Sequence, residues 1–216
     1  MLPGSSSGSR APSADSLGCW YHLVVIRCER LGKRYGRRWL FRNVDLDLAP
    51  GDALVVLGAN GSGKSTLLKV LAGVIPATEG TCDRGADRRV TLGYAALDQP
   101  VYPVLTVAEH LELAARLRAC EPRTTELLDE VELAYAADVA GRHLSTGMRA
   151  RLKFALAVQA EPAAILLDEP GAGLDERGRE LVARMIDRRR ANTAFVIATN
   201  DPQERRFATH ELALDA

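Results

Sequence analysis

The sequence predicts an α/β fold: a core in which buried strands alternate with helices, an antiparallel β layer beside it, and an inserted helical subdomain. Three observations carry that prediction. The apolar runs Asp52–Leu57, Ala163–Leu167 and Ala194–Ala198 have the length and unbroken hydrophobicity of strands covered on both faces. Amphipathic stretches alternate with them, at Ser65–Gly73 and Glu176–Arg190. Three helix-like stretches in succession, Thr106–Arg118, Thr124–Leu133 and Thr146–Gln159, then break the alternation and mark a helical subdomain over about 97–159.

The remaining elements follow in chain order. Residues 1–21 are rich in Ser, Gly, Pro and Ala and are expected to form a disordered tail, because too few large apolar side chains are present to offset the entropy of ordering. Residues 22–216 form the domain. Leu23-Val24-Val25-Ile26 reads as a first strand, and Asn43–Leu48, with Val44, Leu46 and Leu48 alternating with polar residues, reads as a second. Together they predict the antiparallel layer. Gly80–Asp87 reads as a turn and Val90–Tyr94 as a strand. Thr106 is placed to cap the next helix, with Glu109 three residues on and Val107, Leu111, Ala114 and Ala115 sharing a face.

Composition narrows the function. The chain has 216 residues and a formal net charge of zero, from 28 basic and 28 acidic side chains, so no nucleic-acid partner is expected. Arg188-Arg189-Arg190 reads as a solvated helix end whose cations suit the C-terminal dipole. Cys19, Cys28, Cys82 and Cys120 lack C-x-x-C spacing, which favours reduced thiols over a disulfide framework or a zinc site. No metal beyond Mg²⁺ is expected. No window approaches the roughly 18 apolar residues that a membrane helix needs.

Between the strand at Asp52–Leu57 and the helix after it lies Gly58-Ala59-Asn60-Gly61-Ser62-Gly63-Lys64-Ser65-Thr66, which fits G-x-x-x-x-G-K-[ST] at each required position. The glycines let the backbone curl until successive N–H groups face a β-phosphate. Lys64 adds a point charge, Ser65 offers a hydroxyl to Mg²⁺, and the helix start turns its positive end to the same phosphates. A nucleoside triphosphate is therefore the expected ligand, held by Gly58, Asn60, Gly61, Ser62, Gly63, Lys64, Ser65 and Thr66 in a P-loop NTPase with a RecA-like core. A later strand ends in Asp168-Glu169, at the edge where open α/β sheets bind ligands, and resembles a Walker B motif. Asp168 would hold Mg²⁺ and Glu169 would act as general base.

From about Val24 to Leu214 the chain resembles the ABC ATPases, the nucleotide-binding subunits of ABC transporters. Leu144-Ser145-Thr146-Gly147-Met148-Arg149 stands where that family has its L-S-G-G-Q signature, between the phosphate loop and the Asp-Glu pair. The resemblance implies that Ser145 and Gly147 read the γ-phosphate of ATP held by an opposing subunit, at a helix N-terminus suited to anions. It implies that Tyr35 stacks on adenine and that Ala172-Gly173-Leu174-Asp175 is the D-loop. It also implies a dimer, either homodimer or heterodimer, and a separate integral membrane permease, whose coupling helix would be gripped by a groove around Leu97–Tyr102. The chain would then sit in the cytoplasm, peripheral on the inner face of the cell membrane.

Two positions depart from the family pattern. The Q-loop glutamine position falls on Leu97, which cannot ligate Mg²⁺, and Gln99 lies two residues on as a substitute. The family's histidine is replaced by Asn200, which can donate a hydrogen bond but cannot carry a charge or a proton. With Glu169 retained, slow but genuine ATP hydrolysis is expected, through Glu169, Lys64 and Asn200. Ser-Thr-Gly-Met-Arg-Ala-Arg resembles the ATPases of ABC-2 type exporters. The alternatives are a soluble ABC ATPase unconnected with transport and a hydrolysis-impaired regulatory subunit.

Overall fold

A computed structural model describes residues 24–84 and 92–214. The proposed tail, Cys19 and the first two residues of the strand expected at 90–94 lie outside them. A five-stranded parallel sheet, in the order β5-β6-β7-β3-β8, forms the core. Its strands are β3 (Ala53–Leu57), β5 (Leu92–Ala95), β6 (Ala164–Asp168), β7 (Ala194–Thr199) and β8 (His210–Ala213). The period of two in a strand sends alternate residues to opposite faces. Val55, Ile165, Leu167, Phe195 and Ile197 pack on one face with the helical region, while Leu54, Val56, Leu166, Val196 and Ala198 pack on the other. Both faces are covered, hence the unbroken apolar runs.

The second face meets α1 (Lys64–Leu71) and an antiparallel sheet of order β2-β1-β4, formed by β1 (Ile26–Tyr35), β2 (Arg38–Leu48) and β4 (Glu79–Asp83). Here four expectations are corrected. The first strand begins where the Leu23–Ile26 run ends and continues through polar sequence to Tyr35. Bulges interrupt its pairing with β2, with Arg30 and Asn43 in left-handed conformations, and each extra residue resets the alternation that would have revealed the strand. The second strand likewise starts at Arg38 rather than Asn43, making β1 and β2 a hairpin. The turn expected at Gly80–Asp87 is strand β4 as far as Asp83, its Gly80 meeting the β1 backbone so closely that a Cβ would lie 2.3 Å from the Arg30 carbonyl oxygen. That pairing sets Cys28 opposite Cys82, and the two form a disulfide rather than the expected free thiols.

The helices α2 (Val107–Arg118), α3 (Thr124–Glu130) and α4 (Thr146–Val158) lie between β5 and β6 in sequence, and α5 (Glu176–Arg189) joins β6 to β7. Thr106 and Glu109 form a reciprocal capping box on α2. The arginine run at the end of α5 is not simply solvated. Arg189 is largely buried and binds Glu130 of α3 at 2.5 Å, while Arg177 at the other end of α5 binds Glu132 at 2.7 Å, fastening the helical region to the core. Among the described residues no helix is long and apolar enough to cross a membrane.

Candidate active site

Because the five core strands are parallel, their C-terminal ends share one edge. The phosphate loop follows β3, Asp168 ends β6 and Glu169 follows it, Asn200 follows β7, and Leu97 and Gln99 follow β5. Strand β7 lies between β3 and β6, so position 200 falls between the loop and the carboxylates.

The contacts follow from that placement. The Lys64 ammonium is buried and donates to the carbonyl oxygen of Gly58 at 2.8 Å and to Asn200 Oδ1 at 2.6 Å, with Glu169 Oε1 at 3.5 Å. Asn200 Nδ2 donates to Asn60 Oδ1, and the Asn200 backbone N–H donates to Glu169 Oε2 at 3.2 Å. Glu169 itself has φ 50°, a left-handed conformation costing a non-glycine residue about 1–2 kcal/mol. Its N–H donates to Ala198 O at 2.8 Å and its carbonyl accepts from Ala172 N–H at 3.0 Å, which together hold it there.

The loop has the shape that a phosphate needs. Gly58 and Gly63 have φ of 155° and 107°, and a Cβ at Gly58 would lie 2.5 Å from Leu214 O. Gly63 also forms the left-handed start of α1. Beside it lies the Asp168 carboxyl, which burial pushes above the usual carboxylate range, with the Ser65 hydroxyl acting in the opposite direction. Asp168 Oδ1 is buried without a partner. A hydroxyl and an unsatisfied carboxylate oxygen at the mouth of a phosphate loop are the hard oxygen donors that Mg²⁺ takes, so these residues fit the ion.

The other proposed residues sit farther out. Leu97 is 54% exposed and only its carbonyl is engaged, accepting from Lys153 Nζ at 2.6 Å. Gln99 Oε1 is buried without a partner, and Gln99 lines a cavity of about 550 Å³ with Asp168 and Glu169. Tyr35 lies at the end of β1 next to the hairpin turn, with Lys33 Nζ 5.1 Å from its ring centre, and is 55% exposed. The nearby Trp39 has both Arg34 and Arg42 guanidinium groups stacked on it, which leaves Tyr35 the more open ring.

Ser145 and Gly147 are not brought to the phosphate loop. Ser145 caps α4, accepting from Met148 N–H at 3.2 Å, and with Gly147 lines a separate cavity of about 690 Å³ that includes no phosphate-loop residue. Sequence reasoning missed Glu204, a buried carboxyl that accepts from Gly171 N–H at 3.0 Å behind the turn that follows Asp168-Glu169. It lies in the 3-10 segment Pro202–Phe207, where three-residue periodicity and a leading proline gave no helical signal.

Comparison with known proteins agrees with this geometry. A family model described as ABC transporter matches residues 41–172. The cytochrome c biogenesis ATP-binding export protein CcmA of Hyphomonas neptunium is 38% identical over 192 residues, covering 88% of this chain and 91% of that protein. The lipoprotein-releasing system ATP-binding protein LolD of Alcanivorax borkumensis is 33% identical over 201 residues, 82% of this chain and 88% of that protein. Among solved structures, a dimeric ATP-binding cassette in a post-hydrolysis state bound to ADP and phosphate superposes with a TM-score of 0.79 at 25% identity, over 88% of this chain and 94% of that one.

Proposed function

The chain belongs to the ABC transporter family, as one of its ATP-binding chains, and on that premise we propose that it binds and hydrolyses ATP to power a separate membrane permease. The observation that carries this reading is the convergence of Lys64, Glu169 and Asn200 on one sheet edge beside the Ser65–Asp168 pair. Resemblance to ATP-binding proteins of both export and import systems favours transport over a soluble role, and the ABC-2 type export subgroup rests on the sequence Ser145–Arg151.

In this mechanism the backbone N–H groups of the loop bind the phosphates, and Lys64 offsets the charge that develops on the transferred phosphoryl group. Ser65 and Asp168 hold Mg²⁺, with Gln99 as a further oxygen donor. Bound Mg²⁺ neutralises phosphate charge. Glu169 orients the attacking water and takes its proton, while the Asn200 amide donates where the family has an imidazole. Tyr35 stacks on adenine.

Ser145 and Gly147 close the site from a second subunit, identical or different; their separate cavity supports this division. The helical subdomain spans about 97–159 within a domain of residues 22–216. Attachment to a permease puts the chain on the cytoplasmic face of the membrane. The test is phosphate release by the full-length protein with ATP and Mg²⁺, compared with Glu169→Gln, together with recovery of an integral membrane protein on purification from membranes. Release no faster than that of Glu169→Gln would overturn the enzymatic reading.

A further inference from the structure

We propose that Glu204 is a positioning residue for hydrolysis: its buried carboxyl holds the turn that carries Glu169 against the strand end that carries Asn200. This rests on the reading of Glu169 as general base. Glu204 lies in the 3-10 segment after β7, whose start is fixed by the Asp201 carboxylate accepting from Gln203 N–H at 2.8 Å. Its side chain turns inward, and Oε1 accepts from Gly171 N–H, two residues past Glu169. On the strand side, the Thr199 hydroxyl oxygen accepts from Asp201 N–H at 2.9 Å and the Glu204 N–H donates to Asp201 O at 3.1 Å, tying the start of the segment to the strand end. Thr199 immediately precedes Asn200.

The approach is close enough to dictate the residue opposite. A Cβ at Gly171 would lie 2.7 Å from Glu204 Oε1, so glycine is what admits the carboxyl. Glu204 Oε2 is buried without a partner, so a costly group stays in place although only part of its bonding capacity is met. Three bonds join the turn to the end of β7 and to the segment that follows it. Two use atoms of Glu169 itself, from its N–H to Ala198 O and from Asn200 N–H to its carboxylate. The Glu204 bond fixes the far side of the turn and thereby the direction in which Glu169 leaves its left-handed backbone position. Misplacement of a catalytic group by about 1 Å can cost about a hundredfold in rate.

The test compares Glu204→Ala, Glu204→Gln and Gly171→Ala in the full-length protein, measuring kcat for ATP hydrolysis and, separately, affinity for a fluorescent ATP analogue. Glu204→Ala and Gly171→Ala are expected to lower kcat about tenfold or more with affinity kept within about twofold, a loss of positioning rather than binding. Glu204→Gln keeps the acceptor and recovers most of kcat. In a Glu169→Gln background, Glu204→Ala has no further effect, because it acts through the residue already lost. If Glu204→Ala does not fold, Gly171→Ala and Glu204→Gln decide the matter. A kcat unchanged by Glu204→Ala or Gly171→Ala while Glu169→Gln abolishes turnover overturns the role of Glu204 alone, as does an equal fall in affinity and rate. Full turnover in Glu169→Gln overturns the general base first, and the positioning role with it.

Discussion

The loop after β3 and the loops after β5 and β7 share one sheet edge, yet they are built from different material. The phosphate loop satisfies its pattern at each required position and, on the proposed reading, works mainly through backbone N–H groups, whose direction is set by glycine conformation and the start of α1. The loops after β5 and β7 work through side chains, and it is there that Leu97 and Asn200 depart from the family. Binding a triphosphate requires a backbone shape, which a substitution elsewhere leaves intact. Hydrolysis requires individual groups with defined protonation, which one substitution can remove while the fold remains.

The largest effect that separates the two regions is expected from Glu169→Gln. It should lower hydrolysis by about a hundredfold or more, within the range for loss of a general base. Affinity for ATP should change by less than about threefold, since an amide at 169 also ends the attraction to Lys64 without altering the loop. Phosphate release and equilibrium nucleotide binding, measured on the same preparation, check this. Lys64→Ala tests the other region. It should weaken ATP binding by about thirtyfold or more, the cost of truncating one partner of a buried charged contact. Retained binding would mean that the backbone cradle suffices alone.

The same contrast explains what was legible in the sequence. The phosphate loop and the Asp168-Glu169 pair were readable because local spacing fixes them: strand, loop and helix are consecutive. That Asn200 touches both Lys64 and Glu169 was not readable, because it depends on β7 lying between β3 and β6, a consequence of strand order over some 140 residues. Glu204 escaped for a related reason, since its partner Gly171, 33 residues earlier, meets it only in the folded chain. In the antiparallel layer, bulges at Arg30 and Asn43 broke the alternation that marks a strand, so β1 and β2 were read too short and the Cys28–Cys82 pairing was missed.

Restoring the side chains tests whether the second region limits the rate. The double change Leu97→Gln with Asn200→His should raise hydrolysis by about tenfold, the low end of what a positioned acid–base group supplies. Its rate should also acquire a titration near the ordinary imidazole value of about 6.5 that the parent lacks. Profiles of rate against pH for both proteins measure this. An unchanged rate would place the limit outside these loops, in dimer closure or product release.

The smallest expected effect concerns stability at the point where the two regions meet. Burial holds the Asp168 carboxyl above the usual range, with the nearby Glu169 carboxylate acting in the same direction and the Ser65 hydroxyl opposing it. Below the ordinary carboxylate value of about 4 both folded and unfolded chains hold the proton, and Asp168 then costs nothing through ionisation. As pH rises past that value the unfolded chain ionises first, so the folded state loses stability until its own carboxyl ionises at the raised value, and the loss persists at neutral pH. Asp168→Asn removes this loss. In the absence of Mg²⁺ and nucleotide its melting temperature should therefore exceed the parent's at pH 7. The difference should vanish below about pH 4. Adding Mg²⁺ and ATP should reverse the order, because only the parent retains the carboxylate that stabilises the bound ion. A variant no more stable at neutral pH would mean that Ser65 and the surrounding solvent already compensate the buried charge.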